Sequence, residues 1–317
     1  MKQLVNLERF FLVGHIFAMV FGLAGLLLVI PHPELLADLG SFGQKVFAWS
    51  MSGGGVANII LGTVAVAIYA YRTLGLRRWL TFMIPAVFLS LGSELLGTST
   101  GFPFGEYGYL SGLGYKVAGL VPFTVPLSWF YMGFVCYLLA LSAINAKLKT
   151  ENPVVSFLRP ILSIGLGAVL LTSWDFALDP AMSQTAYPFW HFGEVGSFFG
   201  TPYRNFAGWI ATGSVFMGVA ALFWNKTPVV LSRQQLIFPL VVYISNIAFS
   251  AVLTVCGVGL WLPIGLSVLF GIVPALILWW MASSAPTSMP PDQGENSRLT
   301  EIPTTQVPVA SMGVMPK

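Results

Sequence analysis

The residues best suited to chemistry lie together in one stretch of the chain, Thr172–Trp209. It contains three of the twelve acidic residues, Asp175, Asp179 and Glu194, and one of the three histidines, His191. Carboxyl and imidazole groups are common general acids and bases in enzymes. Because the chain is 56% hydrophobic and only 9% charged, this concentration of polar groups predicts a functional site.

The composition indicates that most of the chain faces lipid. Soluble domains carry about 25% charged residues, far more than this chain. Apolar segments long enough to cross a hydrocarbon core of about 30 Å are Phe10–Ile30, Val46–Tyr71, Leu80–Gly97, Thr124–Ile144, Pro160–Leu178, Phe206–Trp224, Leu236–Val255 and Leu260–Met281. The predicted fold class is therefore all-α: a multi-pass integral membrane bundle of about eight transmembrane helices.

The positive charges predict how the bundle is oriented. If the eight segments alternate across the membrane, twelve of the fifteen Lys and Arg residues fall on the side that carries the N-terminus. Cytoplasmic loops are enriched in Lys and Arg, so both termini are predicted to be cytoplasmic. Residues 1–282 are predicted to form a single transmembrane catalytic domain. Residues 283–317, rich in Pro, Ser and Thr, are predicted to be a disordered cytoplasmic tail.

Two features inside the spans have structural interpretations. The run Gly53-Gly54-Gly55 is predicted to let a neighbouring helix approach closely, as small residues do in membranes. His15, in the first span, is interpreted as a hydrogen-bonded interior histidine.

Two long loops resemble each other and predict an internal repeat of two outward helical hairpins. The loops are Thr98–Phe123 and Asp179–Asn205. Each follows a span with a carboxylate near its end, contains a Phe-Gly-Glu-x-Gly run, and is followed by Pro-aromatic-x5-Trp. The equivalent pairs are Glu94 with Asp175, Glu106 with Glu194, and Trp129 with Trp209. Parallel repeats can form a central site, so these acids are expected to converge.

A proton donor is predicted among the acids of the spans. Carboxyl groups within a membrane are costly and usually mark a site or pathway. Asp175 and Asp179 are four residues apart, on one helix face and near a helix C-terminus, where the helix dipole disfavours negative charge. A carboxylic acid that is kept neutral can donate a proton. Asp175 is therefore the predicted donor, and Glu94 is the alternative.

Other residues complete the predicted site. Glu106, Glu194, His191 and Asp179 are candidates for positioning water and accepting its proton, with Arg204 and Asn205 orienting them. The aromatic residues could line a slot for a long apolar molecule and turn π faces toward positive charge. The predicted substrate-binding aromatics are Trp174, Tyr107, Tyr109, Trp129, Trp190, Tyr203 and Trp209.

Several function classes lack their required residues in this sequence. No predicted span contains a Lys for a retinal Schiff base, and no Asp-rich pair of motifs is present to bind a diphosphate through Mg²⁺. Three histidines are too few for a haem or di-iron enzyme, and no nucleotide-binding fingerprint or nucleic-acid signature is visible. Acid–base chemistry without a metal or organic cofactor, or transport, remains.

Three segments carry a resemblance to a known family. They are SELLGTSTGFPFGEYGY, VPFTVPLSW and WDFALDP followed by GTPYRNFAGW. Together they resemble the membrane-embedded carotenoid 1',2'-hydratases, which act on γ-carotene-type pigments and on bacterioruberin precursors. The resemblance implies addition of water across the terminal 1',2' double bond of an acyclic ψ end group, as in γ-carotene or lycopene, giving a tertiary alcohol. It implies no cofactor. The expected partners are a carotenoid substrate, membrane lipid and other carotenoid-pathway enzymes.

Two other function classes stay open at this point. A proton-coupled transporter would also contain intramembrane acids, but would be expected to spread them across the bilayer instead of gathering them at one side. A non-catalytic carotenoid-binding protein would have the same aromatic slot without turnover. The mass of pigments from a lycopene-producing host separates a hydratase from both, because only a hydratase adds one water.

The predicted orientation is tested with accessible tags. Tags at Arg77 and Lys149 should report the cytoplasm, since these cations follow the positive-inside rule. Tags within Thr98–Phe123 or Asp179–Asn205 should report the opposite side, and a cytoplasmic signal from either long loop would contradict the orientation.

Overall fold

The computed structural model describes residues 2–148, 152–224 and 228–284, which belong to one compact unit, Met1–Pro286. Within these ranges, seven helices are long and apolar enough to cross a membrane. The chain is therefore an all-α, multi-pass integral membrane protein, as the composition predicts. The predicted tail lies outside the described residues except for its first two residues, 283 and 284.

The elements follow one another with short connections. The helices are α1 Lys2–Ala24, α2 Pro33–Asp38, α3 Ser41–Thr100, α4 Thr124–Lys147, α5 Pro153–Ser183, α6 Tyr203–Trp224, α7 Ile237–Leu253, α8 Leu262–Ser267 and α9 Val273–Met281. Three π-helical turns, Gly25–Val29, Thr254–Val258 and Val268–Ile272, extend or join them. The strands are β1 Tyr107–Tyr109, β2 Lys116–Val117, β3 Val121–Pro122 and β4 Trp190–Phe192.

The 60 residues of α3 contain two of the eight predicted spans. A straight helix of that length would extend about 90 Å, roughly three times the hydrocarbon thickness. Gly75 interrupts it with φ 81° and ψ 167°, a conformation that is not helical. Asn58 and Glu94, on opposite sides of this break, line the same cavity, so the two arms of α3, residues 41–74 and 76–100, fold back alongside each other. The seven continuous elements therefore give eight crossings.

Helix α4 forms the centre of the bundle, and nearly all of its residues are buried. Two glycines let its neighbours approach. A Cβ on Gly133 would lie 2.7 Å from the Phe216 ring of α6, and one on Gly167 of α5 would lie 3.1 Å from the Tyr137 backbone of α4. Such close backbone approach is typical of small residues at membrane helix interfaces.

Helix α1 is attached to the first arm of α3 by buried polar contacts. Arg72 Nε donates to Glu8 Oε2 at 2.8 Å, and Glu8 is almost fully buried. The His15 ring packs against Gly62 and is fully buried. Its Nδ1 lies 2.9 Å from the Asn58 carbonyl oxygen, which confirms the interpretation of His15 as a hydrogen-bonded interior histidine.

The prediction for the glycine run was wrong for two of its three members. Added Cβ atoms on Gly53 and Gly54 meet no other helix within 4 Å. Only Gly55 is closely approached, and the approaching atom is the carbonyl oxygen of Gly112 in a loop, 2.6 Å from the added Cβ. Gly53 and Gly54 instead border a cavity.

The long loops cover one end of the bundle, called here the loop end, which carries residues 101–123 and 184–202. Strands β1 and β4 pair antiparallel across the two loops, with Gly108 opposite His191. Strand β4 begins with Trp190 and His191, the two residues that interrupt the predicted repeat, so the paired strands are not equivalent segments. The predicted likeness is closer in the helices, where Trp129 and Trp209 stack with ring centroids 4.3 Å apart.

The break at Gly75 generates a prediction about stability. Gly75→Ala should lower the free energy of unfolding by about 1–3 kcal/mol, because only glycine adopts this backbone conformation without strain. No atom lies within 4 Å of the added Cβ, so the loss would be conformational. Thermal unfolding in detergent measures it.

Gly92→Ala is the matched control. Gly92 is a helical, exposed residue of the same helix and also has no atom within 4 Å of an added Cβ. Alanine there should be neutral or stabilising by up to about 1 kcal/mol. Equal stability of Gly75→Ala and the wild type would contradict the interpretation of the break.

Candidate functional site

A cavity of about 130 Å³ lies beneath the loop end. Residues of α3, α4, α5, α6 and α7 form its walls, and the two long loops close it. Nine of the fifteen predicted site residues line it: Glu94, Tyr107, Tyr109, Trp129, Trp174, Asp179, Trp190, Asn205 and Trp209. We call this space the acid cavity.

Glu94 is held by three hydrogen-bond donors from two other elements. It lies in the last two turns of α3 and is 4% exposed. Tyr109 Oη donates to Glu94 Oε2 at 2.8 Å, Tyr107 Oη donates to the same oxygen, and Trp129 Nε1 of α4 donates to Oε1 at 2.9 Å. Burial, followed by the charge of Glu94, raises the pKa of both phenols far above the usual range. Both therefore remain protonated donors at neutral pH.

Asp175 and Asp179 form a buried pair on one face of α5 and are 0% and 3% exposed. Asn205, in the first turn of α6, donates from the same Nδ2 to Asp175 Oδ2 at 2.7 Å and to Asp179 Oδ2 at 2.6 Å. Trp190 Nε1 of β4 donates to Asp179 Oδ1 at 3.2 Å. Asp175 Oδ1 has no hydrogen-bond partner among the described residues. The two carboxyl groups thus share one donor.

Aromatic rings form most of the remaining wall. The Trp129 and Trp209 rings stack, and Trp174 meets Trp209 edge-on with centroids 5.9 Å apart. Trp174 Nε1 donates to Ser250 Oγ at 3.1 Å, which fixes the orientation of its ring. The cavity therefore combines apolar, π-rich surface with carboxyl groups of two different helices.

Six predicted site residues are not among those lining the cavity. Asp175 lies behind the wall and reaches it only through its neighbours. Glu106 and His191 are exposed on the loops, and Tyr203 is 65% exposed. Arg204 and Glu194 form an ion pair, Nε to Oε1 2.8 Å, with both side chains well exposed. Among the acids, only Glu94 and Asp179 therefore reach the cavity.

Sequence reasoning missed a group of uncharged polar residues on the cavity wall: Asn58, Ser128, Tyr131 and Asn246. Tyr131 Oη donates to Asn246 Oδ1 at 3.1 Å, and Asn246 Nδ2 lies 3.1 Å from His15 Nε2. Asn58 Oδ1 is buried and has no partner among the described residues. Side-chain amides inside apolar spans were the available signal, because polar groups in a membrane interior are costly.

Metal-binding groups were also sought. Across the described ranges, no three His, Cys, Asp or Glu side chains come together as metal ligands would. The absence of a cofactor stays a prediction.

Comparison with known proteins identifies the family. Residues 54–274, more than half of the chain, match the family of carotenoid biosynthesis proteins. The chain belongs to this family. The matched region includes Glu94, Asp175, Asp179 and Asn205, so the family assignment covers the acid cavity. The predicted family resemblance is confirmed.

One curated relative of this carotenoid biosynthesis protein is the bisanhydrobacterioruberin hydratase of Haloarcula japonica. The two are 32% identical over 202 residues, which is 62% of each chain. The chain thus spans about 62% of the length of that relative. No solved structure matches the chain.

The shared donor generates a prediction about stability. Asn205→Ala should lower the free energy of unfolding by about 1–3 kcal/mol, since two buried carboxyl groups lose a hydrogen-bond donor. Denaturant or thermal unfolding in detergent measures the loss.

The adjacent Arg204→Ala is the control, because an exposed ion pair contributes only about 0–1 kcal/mol. If Asn205→Ala costs no more than Arg204→Ala, the aspartate pair does not depend on Asn205.

Proposed function

We propose that this protein is a carotenoid hydratase that adds water across the terminal 1',2' double bond of an acyclic ψ end group. The observation that carries the proposal is one aromatic cavity bordered by carboxyl groups in two different hydrogen-bonding environments. One group, Glu94, is surrounded by donors, and the other, Asp179, shares its donor with a second carboxyl. The family and the hydratase relative support the same reaction class.

The aspartate pair is the proposed acid. Two buried carboxylates side by side repel each other, and Asp175, with a single donor, would be poorly compensated as an anion. The pair therefore retains one proton. Asp179 delivers it, because Asp179 lines the cavity and Asp175 does not. The sequence-based choice of Asp175 as the donor is thus changed to Asp179, and Asp175 becomes a positioning residue.

Glu94 is the proposed base. Its three partners all donate to it, so it accepts hydrogen bonds as a carboxylate and remains charged despite burial. A fixed carboxylate facing the cavity favours a nearby cation, and preorganised charges of this kind are usually the largest contribution to catalysis. Glu106, Glu194 and His191 are too far out on the loops to line the cavity and are not proposed for this role.

The steps balance without a cofactor. Asp179 transfers a proton to C2', the less substituted alkene carbon, and the π electrons form the new C–H bond. The tertiary cation at C1' is stabilised by Glu94 and by the faces of Trp129, Trp174 and Trp209. Water bonds to C1', and Glu94 accepts its proton. Return of that proton to the aspartate pair leaves an alcohol that has gained one water.

The acid is tested in a lycopene-producing host by the mass of the extracted pigment. Asp179→Asn and Asp175→Asn should each reduce hydrated product by at least about 10²-fold, the usual contribution of a general acid, because either change removes the shared proton. The substitutions keep the side-chain shape, so protein abundance should stay near that of the wild type. More than about a tenth of wild-type product, a barrier change below about 1.4 kcal/mol, would show that Asp179 is not the acid.

The base is tested in the same way with Glu94→Gln, which should also lose at least about 10²-fold. Glu34→Gln is the matched control, since Glu34 is an exposed acid of α2, outside the acid cavity. Loss of product in Glu106→Gln or Glu194→Gln, with normal product in Glu94→Gln, would move the base to the loops. Unchanged pigment mass from the wild type would favour a binding protein.

A further inference from the structure

A second, larger cavity lies between α1 and the first arm of α3. Its volume is about 520 Å³, and it is lined almost entirely by apolar side chains and glycines. Phe17 of α1 and Trp49 of α3, both on its wall, are 69% and 68% exposed, so the cavity opens along the lipid-facing side. We call it the α1–α3 groove.

The groove is continuous with the acid cavity. Gly55, Asn58, Phe189 and Phe249 line both spaces. They come from α3, from the second long loop and from α7, so the connection is built from three separate parts of the fold. A molecule that enters between α1 and α3 therefore meets the polar wall residue Asn58 before it reaches Glu94 and Asp179.

The size of the acid cavity requires a second space for any long substrate. A protein cavity of about 150 Å³ holds one benzene molecule, so the 130 Å³ of the acid cavity can take one branched end group and no more. The remainder of a carotenoid must lie outside it. The groove, at about 520 Å³, falls in the range of about 300–1,000 Å³ that is usual for small-molecule sites.

Missing side chains create the groove. A Cβ added to Gly25 of the π-helical turn or to Gly53 of α3 would have no atom within 4 Å, and one on Gly54 would meet only Ser50, at 3.9 Å. In membrane helices such small residues usually permit close packing. Here the two helices stay apart at the glycines and leave an apolar channel.

We propose that the α1–α3 groove binds the polyene chain of an acyclic carotenoid and admits it from the lipid, with the end group directed past Asn58 into the acid cavity. This inference rests on the proposed function for its substrate class. An apolar, lipid-open wall without charged residues suits a hydrocarbon chain, and its continuity with the acids excludes a separate lipid site as the simpler explanation.

Filling the groove tests the proposal without requiring turnover. The full-length protein is purified in mild detergent from a lycopene-producing host, and total carotenoid per protein is measured by absorbance. Gly54→Leu and Gly25→Leu, from facing helices, should each lower retained pigment about tenfold, which corresponds to about 1.4 kcal/mol of binding free energy. Each variant's elution in size-exclusion chromatography checks its folding, and either variant alone suffices.

Gly92→Leu is the matched control, because Gly92 is an exposed glycine of the same helix that borders neither cavity. It should retain pigment as the wild type does. Wild-type pigment levels in both groove variants, or no pigment in the wild type, would overturn the proposal.

The groove and the reaction fail separately in this experiment. Retained pigment of unchanged mass would refute the hydratase and leave the groove intact. Normal hydration by both groove variants would refute the groove alone.

Discussion

The cost of placing carboxyl groups inside an apolar membrane bundle governs the loop end of this protein. A buried carboxylate is unfavourable unless hydrogen bonds compensate it, and hydrogen bonds to charged groups contribute about 1.5–3 kcal/mol each. Glu94 obtains its donors from β1 and α4, and the aspartate pair obtains them from α6 and β4. The acids thus explain why the long loops fold down onto the helices.

The same hydrogen bonds hold the cavity in shape. Because Tyr109 and Trp190 each bond to a carboxyl group of a different helix while their strands pair with each other, the two loops and the helices α3 and α5 are linked in one network. Trp129 adds α4, since its indole donates to Glu94 while its ring stacks on Trp209 of α6. Groups that would react are therefore positioned by the contacts that make their burial tolerable.

The two cavities divide the task that a lipid-soluble substrate poses. A small space with fixed carboxyl groups suits proton transfer, which depends on exact distances, whereas a large apolar space suits a long chain that has few features to recognise. Asn58 stands where they meet, and its buried, unpartnered amide oxygen is the polar group closest in kind to what a nucleophilic water would require. The glycines of α3 supply volume, and the acids supply chemistry.

The sequence by itself determined the fold class, the family and most of the aromatic wall. Length and hydropathy mark the spans, because a membrane admits little besides apolar helices, and the carboxyls of Glu94 and Asp179 are conspicuous in them. Tertiary structure alone decided which acids share a cavity: Asp175 and Asp179 lie on one helix face, yet only packing against α6 and β4 brings Asp179 to the surface of the cavity and leaves Asp175 behind it. The roles of Asn58 and of Gly53 and Gly54 were equally hidden, since whether a glycine admits a helix or leaves a void depends on how far apart distant helices settle.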